Sequence, residues 1–299
     1  MITIKAPATS ANMGPGFDCM GIAVDLYNTV TIEETGEGLI IDFLDESRKF
    51  LPTNSNNCVY MAMDRVFKKV GRKPDGLKIT LDNRIPVTRG LGSSAASIVA
   101  GLVGANEVLG KPLSDQQLLN MASNIEGHPD NVAPSLLGGY VVSLRSGNDV
   151  KYSRNIIDDK YKFAAIVPDF YLSTKKSREL LPKYTSYKNA SYNIAHASLL
   201  SASLINGDSD GVRAALKDKL HQHYRLSYIK GGHWIMKSAL EFGAIGSYVS
   251  GAGPTIMAVL DGNYDEFYEK MNAYLRQRFT GWQVKILDVS NTGVMIERS

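Results

Sequence analysis

The chain has 299 residues, of which 44% are hydrophobic and 21% are charged, and its formal net charge at pH 7 is only +3. This length suits one large domain or two of ordinary size, and the composition is that of a globular protein with a substantial core. Basic residues are scattered and no apolar run approaches ~18 residues, which excludes a basic nucleic-acid footprint and a membrane-spanning helix.

Cys19 and Cys58 are the only cysteines, too few for a disulfide framework. No thiol motif surrounds either residue, so we predict that each is a small, buried, apolar side chain. The N-terminus enters a strand pattern at once, without the charged and apolar segments of a signal peptide. We therefore expect a soluble protein of the cytoplasm, with no nucleic-acid partner and no membrane partner.

Residues 1–6 and 27–33 alternate between apolar and polar side chains, which predicts two β-strands. Between them lies a polar, glycine-punctuated connection, residues 7–18, and long connections of this kind tend to be functional or merely irregular. Asn12 and Asp18 are its candidates for recognising a polar substrate. The same side chains also commonly cap turns through nearby backbone groups, so both interpretations stay open.

A glycine-rich turn is the most informative feature of the next segment. Three elements precede it: a strand over 39–43, a helix over 58–70 ended by Gly71, and a strand over 77–82. The turn, residues 86–92, contains Gly90 and Gly92 and leads into a helix predicted over 93–108. Such a turn presents unpaired N–H groups at the positive end of a helix dipole. It therefore predicts an anion site, for which phosphate is the commonest ligand.

The residues after this turn bear on its ligand. Ser93, Ser94 and Ser97 place hydroxyls in the first helical turn, where they can reach a phosphate or its metal ion. Serine follows Gly92 where a P-loop has lysine, and the G-x-G-x-x-G pattern of dinucleotide sites is absent. A nucleotide would therefore be bound without either of these motifs. The alternative to an anion site is a turn that only reverses the chain.

A second polar cluster follows a helix predicted over 115–125, whose capping box consists of Ser114 and Gln117. Its members are Glu126, His128, Asp130 and Asn131. A carboxylate here, with hydroxyls from the glycine-rich turn, offers the oxygen ligands that Mg²⁺ prefers beside a nucleotide. No second His or Cys stands at the spacing of a zinc site. The alternative is a turn at the end of the helix, before a strand predicted over 140–144.

Polar turns at 146–149 and 156–160 are the best candidates for a domain boundary. The elements predicted beyond them are a strand over 163–167, a short helix from Ser173 stopped by Pro182, helices over 189–205 and 209–217, a strand over 255–260, a helix over 264–278, and strands near 282–288 and 292–297. A second glycine-rich turn, 246–254, connects strands or covers a ligand. Arg178 and Arg225 are expected to be solvated unless the fold brings them to a site.

Three motifs, in this order, resemble those of the GHMP kinase superfamily. They are PATSANMGPGFD at residues 7–18, PVTRGLGSSAA at residues 86–96 and SGAGPT at residues 250–255. Within the superfamily the chain is similar to the homoserine kinases, which share its form of the first motif and the HPDNVAP segment at residues 128–134. The resemblance covers essentially the whole chain, and three motifs that agree in order and spacing are more specific than any one of them.

The resemblance implies an α+β fold in two parts, the two-domain GHMP kinase fold. The N-terminal half would be like the second domain of ribosomal protein S5, and the C-terminal half would be ferredoxin-like. The ATP-binding domain is then expected at residues 1–158 and the C-terminal domain at residues 159–299. The predicted strands and helices are compatible with this fold but would not by themselves have predicted it.

The resemblance also implies a role for each motif. The ATP phosphates would be wrapped by the backbone of Pro86, Val87, Thr88, Arg89, Gly90, Leu91, Gly92, Ser93, Ser94, Ala95 and Ala96. Mg²⁺ would be held by the hydroxyl of Ser93 or Ser94 together with Glu126. The homoserine pocket would be lined by Asn12, Asp18, His128, Asp130, Asn131, Gly251 and Gly253. Arg178 and Arg225 would grip the substrate carboxylate, for which a guanidinium fork is well shaped.

The implied reaction converts ATP and L-homoserine to ADP and O-phospho-L-homoserine, a step of threonine biosynthesis. Phosphoryl transfer mainly needs alignment and charge neutralisation. Asp18, Asp130 and Arg178 are the expected catalytic residues, although the family is thought not to require a dedicated base, and we expect Asp18 chiefly to bind the amino or hydroxyl group. The alternatives are a sibling kinase of mevalonate or a related alcohol, and an inactive member that binds a ligand or partner. A homodimer is expected only as the tendency of the family.

Overall fold

Two β-sheets with helices packed on them make up the part of the chain that the computed structural model describes, residues 1–298. The strands are β1 (Ile2–Ala11), β2 (Met20–Thr35), β3 (Gly38–Phe43), β4 (Gly76–Asn83), β5 (Tyr140–Ser146), β6 (Asp149–Asn155), β7 (Lys162–Val167), β8 (Gly246–Val249), β9 (Ile256–Leu260), β10 (Gln283–Leu287) and β11 (Met295–Arg298). The helices are α1 (Cys58–Val70), α2 (Ser93–Val108), α3 (Asp115–Glu126), α4 (Pro129–Leu137), α5 (Thr174–Glu179), α6 (Tyr187–Asn206), α7 (Ser209–Ala215), α8 (Gln222–Leu226), α9 (Gly232–Glu241) and α10 (Tyr264–Arg278), with a short 3₁₀ helix over Glu46–Lys49. None of the described helices is long and apolar enough to cross a membrane.

The first sheet has the strand order β11-β1-β2-β4-β3, and the hairpin of β5 and β6 joins it through β2. Its pairs are antiparallel except that of β3 with β4. Val30 and Ile32 of β2 are buried, as the alternation predicts, and pair with Leu81 and Ile79 of β4. Helix α2 packs closely on this sheet, because a Cβ on Gly104 would lie 2.3 Å from Ile32 Cδ1. Small residues therefore bring α2 directly onto the strands.

The second sheet is antiparallel and has the order β10-β7-β9-β8. Numbered within the second half, its strands therefore run fourth, first, third, second, which is the ferredoxin-like order. Phe267 and Met271 of α10 are buried in one core with Ile235 of α9 and Ile166 of β7. Two sheets with their own helices confirm the two-part α+β fold.

Strand β11 lies in the first sheet, where it pairs with the beginning of β1 and sets Arg298 opposite Ile2. The Arg298 side chain also donates a 2.6 Å hydrogen bond to Glu107 of α2. The N-terminal sheet therefore includes a strand from the far end of the chain. The division into residues 1–158 and 159–299 stays a prediction.

The loop predicted over residues 7–18 is wrong in its first part, because β1 continues to Ala11. All side chains of residues 8–11 are buried, so this part of the strand shows no alternation. Helices α2 and α4 pack on β1, and Ser10 Oγ makes a 3.0 Å hydrogen bond with Tyr248 Oη of β8. Because the side chains of this part of β1 are small and covered on both faces, its sequence resembles a polar connection. The connection itself is residues 12–19.

The turn predicted at residues 126–131 is the junction of two helices. Gly127, with φ of 96°, caps the C-terminus of α3, and Pro129 is the first residue of α4, where its missing N–H costs nothing. Helix α4 continues to Leu137 although it contains Pro134. Four further strands and helices are not predicted by the sequence patterns, namely β6, β8, α8 and α9, and neither is the 3₁₀ helix.

Candidate active site

The polar motifs of the sequence meet around one cavity of ≈ 280 Å³. The predicted site residues that line it are Asn12, Asp18, Val87, Thr88, Arg89, Gly90, Gly92, Ser93, Ser94, Glu126, His128, Asp130, Asn131, Arg178, Arg225, Gly251 and Gly253. Of the other predicted nucleotide residues, Pro86 lines an adjoining cavity, whereas Leu91, Ala95 and Ala96 are buried in the core. The side chains of these three are packing groups, so only their backbone can serve a ligand.

Residues 86–92, here called the anion loop, have an alternating backbone conformation. Thr88, Gly90 and Gly92 have φ of 55°, 82° and 68°, and the two residues between them do not have positive φ. A Cβ on Gly90 would lie 2.5 Å from the carbonyl oxygen of Ser250, so only glycine fits there without displacing backbone. Alternation of this kind turns successive N–H groups to one side and forms a concave anion site.

Hydrogen bonds from groups outside the cavity wall fix the direction of these N–H groups. The Gly90 carbonyl accepts a 2.6 Å hydrogen bond from Ser250 Oγ, and the Leu91 carbonyl accepts one of 3.1 Å from the Thr9 N–H. The C=O and N–H of a trans peptide point in opposite directions. The N–H groups of Leu91 and Gly92 are therefore directed away from Ser250 and Thr9, toward the cavity side of the loop.

Helix α2 begins at Ser93, directly after the anion loop, and no side chain caps its N-terminus. Its first N–H groups have no partner within the helix, and the positive end of its dipole lies at the same place. The anion loop and the start of α2 thus form one continuous set of backbone donors. An anion such as phosphate is the ligand that this arrangement suits.

Ser94 and Glu126 supply oxygen ligands next to the anion loop. Ser94 Oγ donates a 3.2 Å hydrogen bond to Glu126 Oε2, and Ser93 lines the same part of the cavity. Burial is the main cause that raises the pKa of Glu126 above its ordinary value. A bound cation would offset the cost of burying the charged carboxylate. A carboxylate and hydroxyls beside a phosphate site fit Mg²⁺, which shares its coordination between protein oxygens, phosphate oxygens and water.

The prediction that both cysteines are buried is wrong for Cys58, which is exposed, and Cys19 is only half-buried. Cys58 is the first residue of α1 and lines the cavity. Asn57 caps that helix by accepting the Val59 N–H, and this cap places the residue between them at the cavity wall.

Several cavity residues besides Cys58 are not predicted by the sequence patterns: Leu51, Asn83, Leu172, Thr174 and Ala252. Thr174 stands one helical turn before Arg178 on α5, so the i, i+4 spacing offered a signal for it. Ala252 lies between Gly251 and Gly253 in the SGAGPT motif, which is its signal. For Leu51, Asn83 and Leu172 the sequence has no comparable signal, because the segments that bring them to the cavity are distant in the chain.

Asp18, His128 and Asp130 form an acidic corner of the cavity, in which one ligand atom of each lies within 4.8 Å of the others. His128 Nδ1 and Asp130 Oδ1 share a short hydrogen bond, and Asn131 Nδ2 donates to the same carboxylate oxygen at 3.3 Å. Burial alone would lower the pKa of His128, but the hydrogen bond and charge of Asp130 raise it. Two carboxylates at one place suit a cationic group of a ligand.

Asn12 makes one hydrogen bond within its own loop and one to the second glycine-rich turn. Its Oδ1 accepts a 2.9 Å hydrogen bond from the Asp18 N–H, which is the local capping role. Its Nδ2 donates a 2.9 Å hydrogen bond to the Gly251 carbonyl, across to the second glycine-rich turn. Asn12 therefore ties the acidic corner to that turn while lining the cavity itself.

Arg178 and Arg225 are brought to the cavity by the fold. Arg178 donates two hydrogen bonds, of 2.7 and 3.0 Å, to the carboxylate of Asp18. Arg225 is only 2% exposed; its Nη1 donates to the Gly251 carbonyl at 2.6 Å, and its Nε has no hydrogen-bond partner among the described residues. Burial and the charge of Arg178 lower the pKa of Arg225 to about 10. The ring of Phe17, which the sequence patterns do not single out, contacts both guanidinium groups, at 5.7 and 5.4 Å from its centre.

A second cavity of ≈ 740 Å³ adjoins the first at the anion loop and shares Leu51, Asn83, Val87, Thr88 and Arg89 with it. Residues of the second half, including Tyr171 and Gln283, line its other side. Arg89 crosses between the halves: its Nε donates to the Pro168 carbonyl at 3.0 Å, and its guanidinium lies 5.7 Å from the centre of the Tyr171 ring.

Known proteins share both halves of this arrangement. Two family models match the chain, that of the GHMP kinases N terminal domain at residues 57–139 and that of the GHMP kinases C terminal at residues 200–277. A homoserine kinase of Clostridium botulinum is 42% identical over 99% of this chain and 98% of its own. One of Petrotoga mobilis is 43% identical over 99% of this chain and 96% of its own. The crystal structure of homoserine kinase from Cytophaga hutchinsonii superimposes with a TM-score of 0.91 at 30% identity, covering 99% of this chain and 97% of that one.

Proposed function

Because the chain belongs to the GHMP kinase superfamily and, within it, to the homoserine kinases, we propose that it phosphorylates L-homoserine. The γ-phosphoryl group of ATP is transferred to the side-chain hydroxyl oxygen, and the products are ADP, O-phospho-L-homoserine and the hydroxyl proton, which is released to solvent. The enzyme is a phosphotransferase with an alcohol acceptor, and the product is an intermediate of threonine biosynthesis.

The charge distribution of the cavity is the observation that carries this proposal. Asp18 and Asp130 can bind an ammonium group, and Arg178 and Arg225 can bind a carboxylate. Asp18 and Arg178 bind each other in the structure. An amino-acid zwitterion offers Asp18 an ammonium group in place of the guanidinium and offers Arg178 a carboxylate in place of Asp18. Arg225 adds a buried Nε–H with no other partner among the described residues. An amino acid with a hydroxyl side chain matches these groups better than an alcohol without an ammonium group.

ATP binds, in this proposal, with its phosphates on the anion loop and the start of α2. The backbone N–H groups there stay fixed while negative charge moves from the γ-phosphate to the leaving ADP, which is the stabilisation that phosphoryl transfer needs. The nucleoside extends into the adjoining cavity, whose volume of ≈ 740 Å³ has room for a base and a ribose.

Mg²⁺ would be held by Glu126 and Ser94, with Ser93 as the neighbouring hydroxyl. When bound, the ion neutralises charge on the phosphates and helps to orient them. Ser94 is the better placed of the two serines, because its Oγ already bonds to the Glu126 carboxylate.

No dedicated base is needed in this proposal. Asp18 is engaged by Arg178, and Asp130 accepts hydrogen bonds from His128 and Asn131. Both carboxylates are therefore suited to bind and orient the substrate. Asp18 would hold the ammonium group, and Asn12 and His128 would border the hydroxyl, which is aligned with the phosphates by position alone.

Action in the cytoplasm suits an enzyme that draws on metabolic ATP, and a homodimer follows only the tendency of the superfamily. An inactive member would have lost its anion loop or its metal carboxylate, and both Gly90 and Glu126 are present.

The product identifies the reaction. Purified protein incubated with ATP, Mg²⁺ and L-homoserine should give a phosphate monoester whose ³¹P signal couples to the methylene protons beside the side-chain oxygen. A stable ester at that position supports the proposal. A hydroxylamine-sensitive acyl phosphate, or no phosphorylated amino acid, contradicts it.

A further inference from the structure

His221 is fully buried at the N-cap of α8 and contacts both Arg225 and the loop that leads to Asp18. Its Nε2 lies 2.8 Å from the carbonyl oxygen of Gly14, in the loop that leads to Asp18. Its Nδ1 lies 3.2 Å from Nη1 of Arg225, one helical turn further along the chain. One imidazole thus joins the loop after β1 to the buried guanidinium.

These contacts define the protonation state of the ring. The Gly14 carbonyl can only accept, so Nε2 carries the hydrogen, and the Arg225 guanidinium can only donate, so Nδ1 must accept. A second proton would set Nδ1–H against Nη1–H. Burial also lowers the pKa of His221, to about 4. The ring is therefore a neutral Nε2–H tautomer at ordinary pH.

The position of the ring is fixed from two other directions. Asp218 accepts the backbone N–H groups of His221 and Gln222, at 2.8 and 2.7 Å, and so holds the first turn of α8. The Phe17 ring lies 5.2 Å from the imidazole and also contacts the Arg225 guanidinium. Because the His221 imidazole is itself held in place, it can hold the Arg225 guanidinium in one orientation.

We infer that His221 is a positioning residue that orients Arg225 for the substrate carboxylate. Its lone pair on Nδ1, together with the Gly251 carbonyl, holds Nη1 and so fixes the plane of the guanidinium, whose Nε–H has no partner among the described residues. The inference rests on the proposed function, because it assumes that Arg225 binds the carboxylate of homoserine. It adds a group that touches no reacting atom yet sets the selectivity for amino acids.

Two substitutions separate the contacts of His221. In His221→Asn the amide oxygen lies near the former Nδ1 and keeps an acceptor for Arg225. In His221→Gln the amide nitrogen lies near the former Nε2 and keeps the donor to Gly14 but removes the acceptor. The exposed His233, on α9, gives His233→Gln as the matched control. Thermal melting checks that each variant folds.

The readout is the KM for L-homoserine beside the Ki of 3-aminopropan-1-ol, which is homoserine without its carboxylate. His221→Gln should raise the KM for homoserine roughly tenfold, the effect of about one hydrogen bond, with kcat and the KM for ATP within about twofold. The Ki of 3-aminopropan-1-ol should not change. His221→Asn should keep the KM within about threefold of the parent.

Two results overturn the inference: an equal loss of affinity for homoserine and for 3-aminopropan-1-ol in His221→Gln, or equal KM values for the Asn and Gln variants. If the Gln variant does not fold, a tenfold rise of KM in the folded Asn variant overturns it, and an unchanged KM supports it. Failure of the proposed function would be visible earlier, because the parent protein would then release no ADP with homoserine.

Discussion

The carboxylate of Asp18 and the guanidinium of Arg178 face each other through two hydrogen bonds of 2.7 and 3.0 Å, although 160 positions separate them in the chain. Asp18 lies on the loop after β1 and Arg178 on α5, so the pair joins the two halves at the cavity. Each member is then placed to exchange its partner for one charge of a zwitterionic substrate. In the proposed function, substrate binding therefore competes with this contact between the halves.

Replacing Asp18 by Asn tests its assigned role. We expect the KM for homoserine to rise about 10- to 100-fold, because a charge-assisted hydrogen bond to the ammonium group is lost, while kcat falls much less. Steady-state kinetics with varied homoserine measures both. Asp149→Asn, at an exposed position on β6, is the control. A kcat lowered by roughly a thousandfold or more with unchanged KM would instead assign Asp18 as a general base.

Gly90→Ala should damage the anion loop. A Cβ there meets the carbonyl oxygens of Ser250 and Gly253 at 2.5 and 2.8 Å, and φ of 82° is unfavourable for alanine. We expect kcat/KM for ATP to fall by roughly tenfold or more, since left-handed backbone alone costs about 1–2 kcal/mol. Gly262→Ala, which adds a methyl group where no atom lies within 4 Å, should be neutral. Equal activity of the two variants would show that the loop conformation is unimportant.

Glu126→Gln should weaken the use of Mg²⁺. The substitution keeps the shape of the side chain and removes the negative charge that is proposed to bind the ion. Half-saturation should therefore require a roughly tenfold higher concentration of free Mg²⁺. The rate is measured against free Mg²⁺ at saturating nucleotide, with Glu266→Gln on the exposed side of α10 as the control. A Mg²⁺ dependence identical to that of the parent would remove Glu126 from the metal site.

Stability should depend on pH through His221. Its folded-state pKa of about 4 lies below the ordinary 6.5, so between these values the unfolded chain binds more protons than the folded one. Stability is therefore lost as pH falls from about 6.5 toward 4. Between pH 7 and pH 5 the free energy of unfolding of the parent should drop more than that of His221→Asn, by on the order of 2 kcal/mol. Urea unfolding at both pH values measures this, and equal drops would mean that the ring is not held neutral.

The elements predicted well are those whose ends are determined locally. Helix α1 begins and ends as predicted, because Asn57 caps it through the Val59 N–H and Gly71 ends it with φ of 74°. Helix α2 likewise follows from the glycine-rich turn before it. In both cases the residues that fix the boundary are adjacent to it in sequence.

The elements predicted poorly depend on distant partners. Residues 8–11 belong to β1 only because helices cover one face and Tyr248 reaches the other. Strand β11 pairs with β1 across nearly the whole chain, and no local pattern indicates that pairing. The prolines of α4 argue against a helix in the sequence, but α4 packs against the first sheet, which stabilises it.

The residues of the site show the same difference between local sequence signals and distant contacts. The residues of the anion loop, of the acidic corner and Glu126 lie in motifs that the sequence already singles out, whereas no local pattern predicts the burial of Arg225. Its surroundings come from the loop after β1 and the turn at Gly251, so only the fold reveals them. Phe17 and His221 matter for the same reason, because their role is to contact Arg225.

Acceptor selectivity distinguishes a homoserine kinase from its sibling kinases. ADP release, coupled to NADH oxidation, should be measured with ATP and Mg²⁺ and with L-homoserine, mevalonate, phosphomevalonate or galactose as the acceptor. We expect kcat/KM for L-homoserine to exceed that for each other acceptor by at least about a hundredfold, because those acceptors lack the ammonium group that the acidic corner would bind. Turnover with mevalonate and none with L-homoserine would contradict it.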